Sequence, residues 1–232
     1  MLLKKIIILK LTVILTCVSA LWAGDIAVFA DLGFSPDGRT YMFGQHGVLS
    51  PSLHPWADLY IVDVAGNVFV QNGRISFTQN IPIRAGQDGS DILHQLISSN
   101  SSLISRHNID TRNQGLPLYV SRDAAPPARG ETINFRDFLS GREFTAQLVP
   151  TITGSGQNLS SRFHINLEVV QDGRVRTYTV GTPNFSRQQI IQYNFKRVLT
   201  DMSGESLVFV IEMRRIAANG YDIRYMVETV RL

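Results

Sequence analysis

Two dipeptides constrain this chain more than any other feature. Asp172-Gly173 and Asn219-Gly220 each sit between segments that alternate apolar and polar residues. Such pairs suit the tight turns whose central residues need positive φ and whose twist matches two antiparallel strands. "RFHINLEVV" and "RVRTYTVG" are the arms of the first hairpin, "ESLVFVIEMR" and "YDIRYMVETVRL" those of the second. A third turn, Ser35-Pro36-Asp37-Gly38, joins "IAVFADLGF" to "RTYMFG"; Pro36 fixes φ at the second position and Gly38 accepts a left-handed conformation. "ADLYIVDV" and "VFVQ" flank Ala65-Gly66-Asn67, and "EFTAQLVPTIT" and "IIQYNFKRVLT" add further β segments. "GVLSPSLHPW" reads as a loop, because Pro51 and Pro55 obstruct regular pairing.

One segment breaks the two-residue period. In "DGSDILHQLISSNSSLISRHN", Ile92, Leu93, Leu96, Ile97, Leu103 and Ile104 share one face at helical spacing. Ser90 or Asp88 can cap the start, and Arg106 and His107 suit the C-terminal dipole. The spacing predicts one amphipathic helix near 88–106, packed on a sheet, with a weak point at the Ser/Asn run 98–102.

The β segments at the two ends share a plan. "GFSPDGRTYMFGQ" and "VLTDMSGESLVFVIE" align Phe34-Ser35 with Leu199-Thr200, Gly38 with Gly204 and Phe43 with Phe209, one residue being inserted. Each opens a two-hairpin module of about forty residues, the length of one propeller blade. A closed propeller needs at least four blades, and only two modules are legible. The expected fold is therefore mainly β: antiparallel hairpins forming blade-like sheets, as an incomplete propeller or a sandwich, with one packed helix.

Export is written at the start. Lys4 and Lys5 precede an apolar stretch, Ile6 to Trp22, broken once by Lys10, and small residues follow at Ala20 and Ala23. This is the pattern of a secretory signal peptide, residues 1–23, with cleavage after Ala23 or Ala20. Residues 24–232 then form a single β-rich domain with a loop near 122–131, "RDAAPPARGE". An apolar run this short, with a lysine inside it, is at the lower limit for spanning a bilayer, so no stable transmembrane span is expected once the signal is removed. The only cysteine, Cys17, lies in the signal, where "ILTC" loosely resembles a lipoprotein box. After cleavage no thiol or disulfide remains, and an ordinary apolar core must hold the fold. Three of the 22 basic residues lie in the signal and none of the 19 acids does, which leaves 19 of each sign. The remainder has no net charge and no basic run, which argues against nucleic-acid binding.

The chain resembles a family of uncharacterised bacterial predicted secreted proteins, a domain of unknown function. The resemblance is carried by "GDIAV", "GFSPDGRTYMFGQHGV", "LYIVDV" and "YDIRYMVETVRL". It implies export and a shared fold, and it carries over no catalytic residues. Where the family often has acids or aromatics after the first hairpin, Gln45-His46-Gly47-Val48 stands here, which counts against an acidic site at that place.

Chemistry-bearing residues are sparse. No two of the five histidines lie within four residues, so neither a strand nor a helical metal pair is written. His46, His54 and Asp58 flank one loop and are the metal candidates; Trp56, after Pro55, is the candidate exposed aromatic for binding. Asp37 and Asp63 read as turn residues bonding nearby N–H groups. The nucleophile-elbow and phosphate-loop patterns are absent. These residues point to a periplasmic or secreted binding module without a cofactor, non-catalytic, with an unidentified envelope or extracellular partner. Two alternatives stand beside it: a hydrolase or metal-dependent enzyme using the 46–58 loop, and an envelope protein lipid-anchored through Cys17.

Overall fold

The computed structural model of the chain describes residues 24–122, 130–217 and 220–232. The expected signal peptide, its cleavage sites, Cys17, Asn219 and most of the 122–131 loop lie outside the described residues.

Strands β1 (Val28–Phe34), β2 (Thr40–Val48), β3 (Pro55–Asp63) and β4 (Val68–Thr78) form an antiparallel sheet in chain order. Helices α1 (Ser90–Ser99) and α2 (Ser101–Arg106) follow, then β5 (Leu116–Val120). β6 (Thr132–Arg136), β7 (Glu143–Thr153), β8 (Ser160–Gln171), β9 (Arg174–Val180) and the short β10 (Arg187–Gln188) make a second sheet, with β9 and β10 both on one edge of β8. β11 (Ile190–Thr200), β12 (Ser206–Ala217) and β13 (Gly220–Arg231) complete a third, ordered β13-β12-β11-β5. The mainly β, hairpin-built expectation holds, in the sandwich-like form.

The sheet that closes the chain lies in the middle of the stack. On β12, Leu207, Phe209 and Ile211 pack against Phe163, Ile165 and Leu167 of β8. The alternate residues Val208 and Val210 pack against Phe34, Tyr41 and Phe43 of the first sheet. A strand buried on both faces has no use for alternation, and "SLVFVI" is accordingly buried throughout. The other face of the first sheet carries Met42, Ala57, Leu59 and Ile61, covered by Ile92, Leu93, Leu96, Leu103 and Ile104 of the helices. Four layers result: helices, first sheet, central sheet, second sheet. The outer face of the second sheet is polar, with Thr145, Gln147, Asn166 and Thr177 exposed or half-exposed along it.

The single helix expected near 88–106 is broken at Asn100. Its side-chain amide donates to the Leu96 carbonyl at 2.8 Å, and its backbone leaves the helical region at φ −113°. The start is held by Asp88, whose Oδ1 accepts from the Ser90 N–H at 3.0 Å, while the Ser90 hydroxyl makes no cap. The closing module has only three strands of its own. Its fourth is β5, a segment from the middle of the chain whose "LPLYV" carries no alternation strong enough to declare it. The loop between β2 and β3 is shorter than the sequence suggested, because β3 starts at Pro55, opposite Val48.

Candidate functional site

The residues singled out around the 46–58 loop do not converge. His46 lies opposite Ala57 in the β2–β3 register, and its Nδ1 lies 3.2 Å from the Asp88 carbonyl on the helix side. Asp58 lies opposite Gln45 and faces the central sheet, where it accepts 3.0 Å bonds from the Gln45 amide and the Tyr60 hydroxyl. His54 sits in the connecting loop, half-buried. Successive positions on a strand point to opposite faces, and that separates His46 from Asp58. Among the described residues no three His, Cys, Asp or Glu side chains come together as a metal would need.

Trp56 is not the exposed aromatic that its place after Pro55 suggested; it is 5% exposed. Its indole N–H donates to Asp25 Oδ2 at 2.9 Å, and the Arg224 guanidinium lies 4.2 Å from its ring centroid. Arg224 also pairs with the same carboxylate oxygen. Asp222 Oδ1 accepts from the Asp25 N–H at 3.1 Å, and Arg215 closes on Asp222. Burial pushes the Asp25 carboxyl up, and the Arg224 charge pulls the other way. This network fastens the segment before β1 to the edge of β13, where Ile26 and Ile223 form a parallel bridge. Its charges are spent on one another.

The unoccupied chemistry is at one end of the stack. Three loops there close in the same way, each with an N–H bonded to the carbonyl five residues on: Ser35 to Thr40 (2.9 Å), Asp201 to Ser206 (3.2 Å) and Asp137 to Arg142 (3.0 Å). They come from the first, central and second sheets respectively, and they stack in that order. Gly38 packs on Asp201: a Cβ there would lie 2.3 Å from Asp201 Oδ2. Gly204 packs on Asp137, its Cβ position being 3.3 Å from Asp137 Oδ2. The Ser206 hydroxyl donates to the Gly38 carbonyl at 2.8 Å. Arg142 donates to the Gly204 carbonyl at 2.6 Å and to Glu205 at 2.8 Å.

Each loop is stiffened from within by a carboxylate. Asp37 accepts from the Ser35 hydroxyl and the Arg39 N–H. Asp201 accepts from the N–H groups of Glu205 and Ser206 and from the Ser203 hydroxyl. Asp137 accepts from the Leu139 N–H and the Ser140 hydroxyl. Burial alone would raise Asp137, but those donors and Arg142 outweigh it and hold the carboxyl below its ordinary range. The turn reading of Asp37 stands, as does that of Asp63, which accepts from the Gly66 N–H at 3.0 Å.

With Asp137 and Asp201 turned inward, the apices of their two loops are apolar. Phe138 is 86% exposed, Leu139 82% and Met202 66%; Pro36 holds the matching place in the first loop and is exposed as well. Beside them, between β9 and the end of β13, lies a cleft of about 170 Å³ lined by Arg142, Gln171, Asp172, Arg174, Arg176 and Tyr178, among others. Arg142 is held by Gln171 and Glu205, whereas Arg174 and Arg176 are exposed and make no ion pair among the described residues.

The echo between the first and last modules was readable in sequence, but "RDFLSGRE" was missed as its third member. Its glycine, Gly141, falls one place later in the six-residue loop than Gly38 and Gly204 do. The usable signal is the shared order: a small polar residue, an apolar apex, then glycine.

A family model described as Predicted secreted protein (DUF2259) matches residues 42–231. No protein with a curated description and no solved structure matches the chain.

Proposed function

The chain belongs to this predicted secreted protein family, and from that premise we propose that it is an exported, non-catalytic interaction module whose docking surface is the end formed by the three stacked loops. One observation carries the reading: Phe138, Leu139 and Met202 stand out in solvent on loops that are internally braced and packed on one another. Large apolar side chains held rigidly in water cost stability unless something covers them, and clustered exposure of this kind marks contact surfaces. A hydrolase built on the 46–58 loop gains no support from the geometry, because His46 and Asp58 occupy opposite faces of the first sheet.

The test is co-sedimentation with envelopes isolated from the native cell. Wild type is expected in the envelope pellet, and a Phe138→Ser/Leu139→Ser/Met202→Ser variant in the supernatant, with equal melting temperatures for both. Equal retention of the two proteins would refute the proposal.

A further inference from the structure

Building on that reading of the loop end, we infer that its partner is the surface of a lipid bilayer carrying anionic headgroups. The apices insert among the lipids, and the free arginines meet the phosphates.

Three features of the site choose a bilayer over a protein. The first is area. The exposed apolar surface rests on three side chains, whereas a stable protein interface buries ~800 Å² per partner spread over about 20–30 residues. The second is shape. The apices are separate projections from two adjacent loops, Phe138 and Leu139 on one and Met202 on the next. A fluid phase admits such projections one by one, whereas a protein would need a matching pit for each. Three side chains projecting from loop apices suit a peripheral contact, in the manner of shallow insertion; no helix among the described residues is long and apolar enough to cross a membrane.

The third is charge. Asp137 and Asp201 are buried and bonded to their own loops. Of the outward charges, Arg39 and Arg136 are 74% and 51% exposed, and their acids, Asp37 and Glu143, lie 3.8 and 3.7 Å away. The Arg136 guanidinium lies 5.9 Å from the Phe138 ring centroid, so a positive charge sits directly behind an inserting aromatic. Arg174 and Arg176 add two more guanidiniums in the adjoining cleft, set against one acid, Asp172. Guanidinium groups bind phosphate oxygens in a fork geometry, and each basic group near an anionic surface strengthens attachment until salt screens it. Apolar projections with Arg136 behind them, and with Arg174 and Arg176, free of ion pairs among the described residues, beside them, match the order of layers at a membrane surface: hydrocarbon first, then phosphate.

Sedimentation with protein-free vesicles tests this. Wild type is expected to pellet with vesicles of equal parts phosphatidylglycerol and phosphatidylcholine, and at least about tenfold less with phosphatidylcholine alone. Phe138→Ser/Leu139→Ser/Met202→Ser is expected to lower binding to the anionic vesicles by about tenfold or more. Arg174→Gln/Arg176→Gln is expected to erase most of the preference for anionic lipid while leaving the weak binding to phosphatidylcholine. Because all five positions are exposed, unchanged Trp56 emission certifies the fold of each variant.

Wild type that stays in solution with anionic vesicles overturns the inference. If the serine variant has at the same time lost its hold on native envelopes, the loop end is a docking surface for a protein, and the proposed function survives without the bilayer. Anionic vesicles that bind wild type and the serine variant equally overturn the bilayer inference, and equal envelope retention overturns both.

Discussion

The hydroxyl of Ser206 and the main-chain carbonyl of Gly38, 168 residues apart, are joined by a 2.8 Å hydrogen bond that ties the central sheet to the first. Ser206 is fully buried, so Ser206→Ala leaves an acceptor without its donor in a dry place. A loss of about 1–2 kcal/mol is expected. In urea unfolding the midpoint falls while the slope stays unchanged; an unaltered midpoint would show that the bond contributes nothing net.

Gly38 and Gly141 separate two costs of replacing a loop glycine. Both have positive φ, 66° and 74°, but a Cβ at Gly38 meets Asp201 whereas nothing lies within 4 Å at Gly141. Gly141→Ala is expected to cost about 1 kcal/mol, the conformational part alone, and Gly38→Ala more than about 2 kcal/mol. Equal losses would mean that the contact between loops is slack.

Glu228 gives a pH signature. It is 3% exposed, paired with Arg187 at 3.2 Å and bonded to Asn67. Burial raises its carboxyl above the ordinary 4.5, only partly countered by Asn67 and Arg187. The folded state therefore holds this proton more tightly than the unfolded chain does, and its contribution to stability falls as pH rises from about 4.5 through the raised value. Glu228→Gln removes the titration. The unfolding free energy of wild type minus that of the variant is expected to decline over that window; a flat difference would place the carboxylate in a well-solvated setting, and a rising one would mean that Arg187 and Asn67 outweigh burial.

How much of this was legible in the sequence follows from what each element depends on. The hairpins were readable because Asp172-Gly173 and Pro36-Asp37-Gly38 act locally: turn chemistry needs only neighbours along the chain. The helix and its weak point at Asn100 were readable for the same reason. β5 was not, since "LPLYV" becomes a strand only by pairing with β11, some eighty residues later. The loop end was half readable. "SPDGR" and "TDMSGES" announced a shared plan, but that they stack on "RDFLSGR" is decided by the packing of three sheets. Trp56 misled because a residue after proline in a loop-like string has no visible partner, and its partners Asp25 and Arg224 lie at the two extremes of the described chain.

The double burial of β12 sets an exchange pattern. Its amides from Leu207 to Ile211 pair with both β11 and β13 inside the two apolar cores. They are expected to be the slowest in the molecule, opening only with global unfolding, while β9, on an edge with most of its residues exposed, exchanges early. Faster exchange in β12 than in β9 would contradict the layered core.

Export makes its own prediction. Gly24 lies close against Tyr221, with no room for a side chain, and Asp25 is buried. The exported protein is expected to begin at Gly24, read as the intact mass of chain recovered outside the cytoplasm. A mass carrying a lipid on Cys17 would instead establish the anchored form.

The central sheet also dictates a timetable. Its core strands, β11 to β13, all lie between residues 190 and 231, yet they cover the inner faces of both outer sheets. While the chain emerges from N-terminus to C-terminus, Phe34, Tyr41 and Phe43 wait uncovered, and so do Phe163, Ile165 and Leu167. Neither earlier sheet can cover the face it turns to the central sheet before the final hairpin is delivered. That order of burial suits a chain whose C-terminal strands are the last to become free to pair.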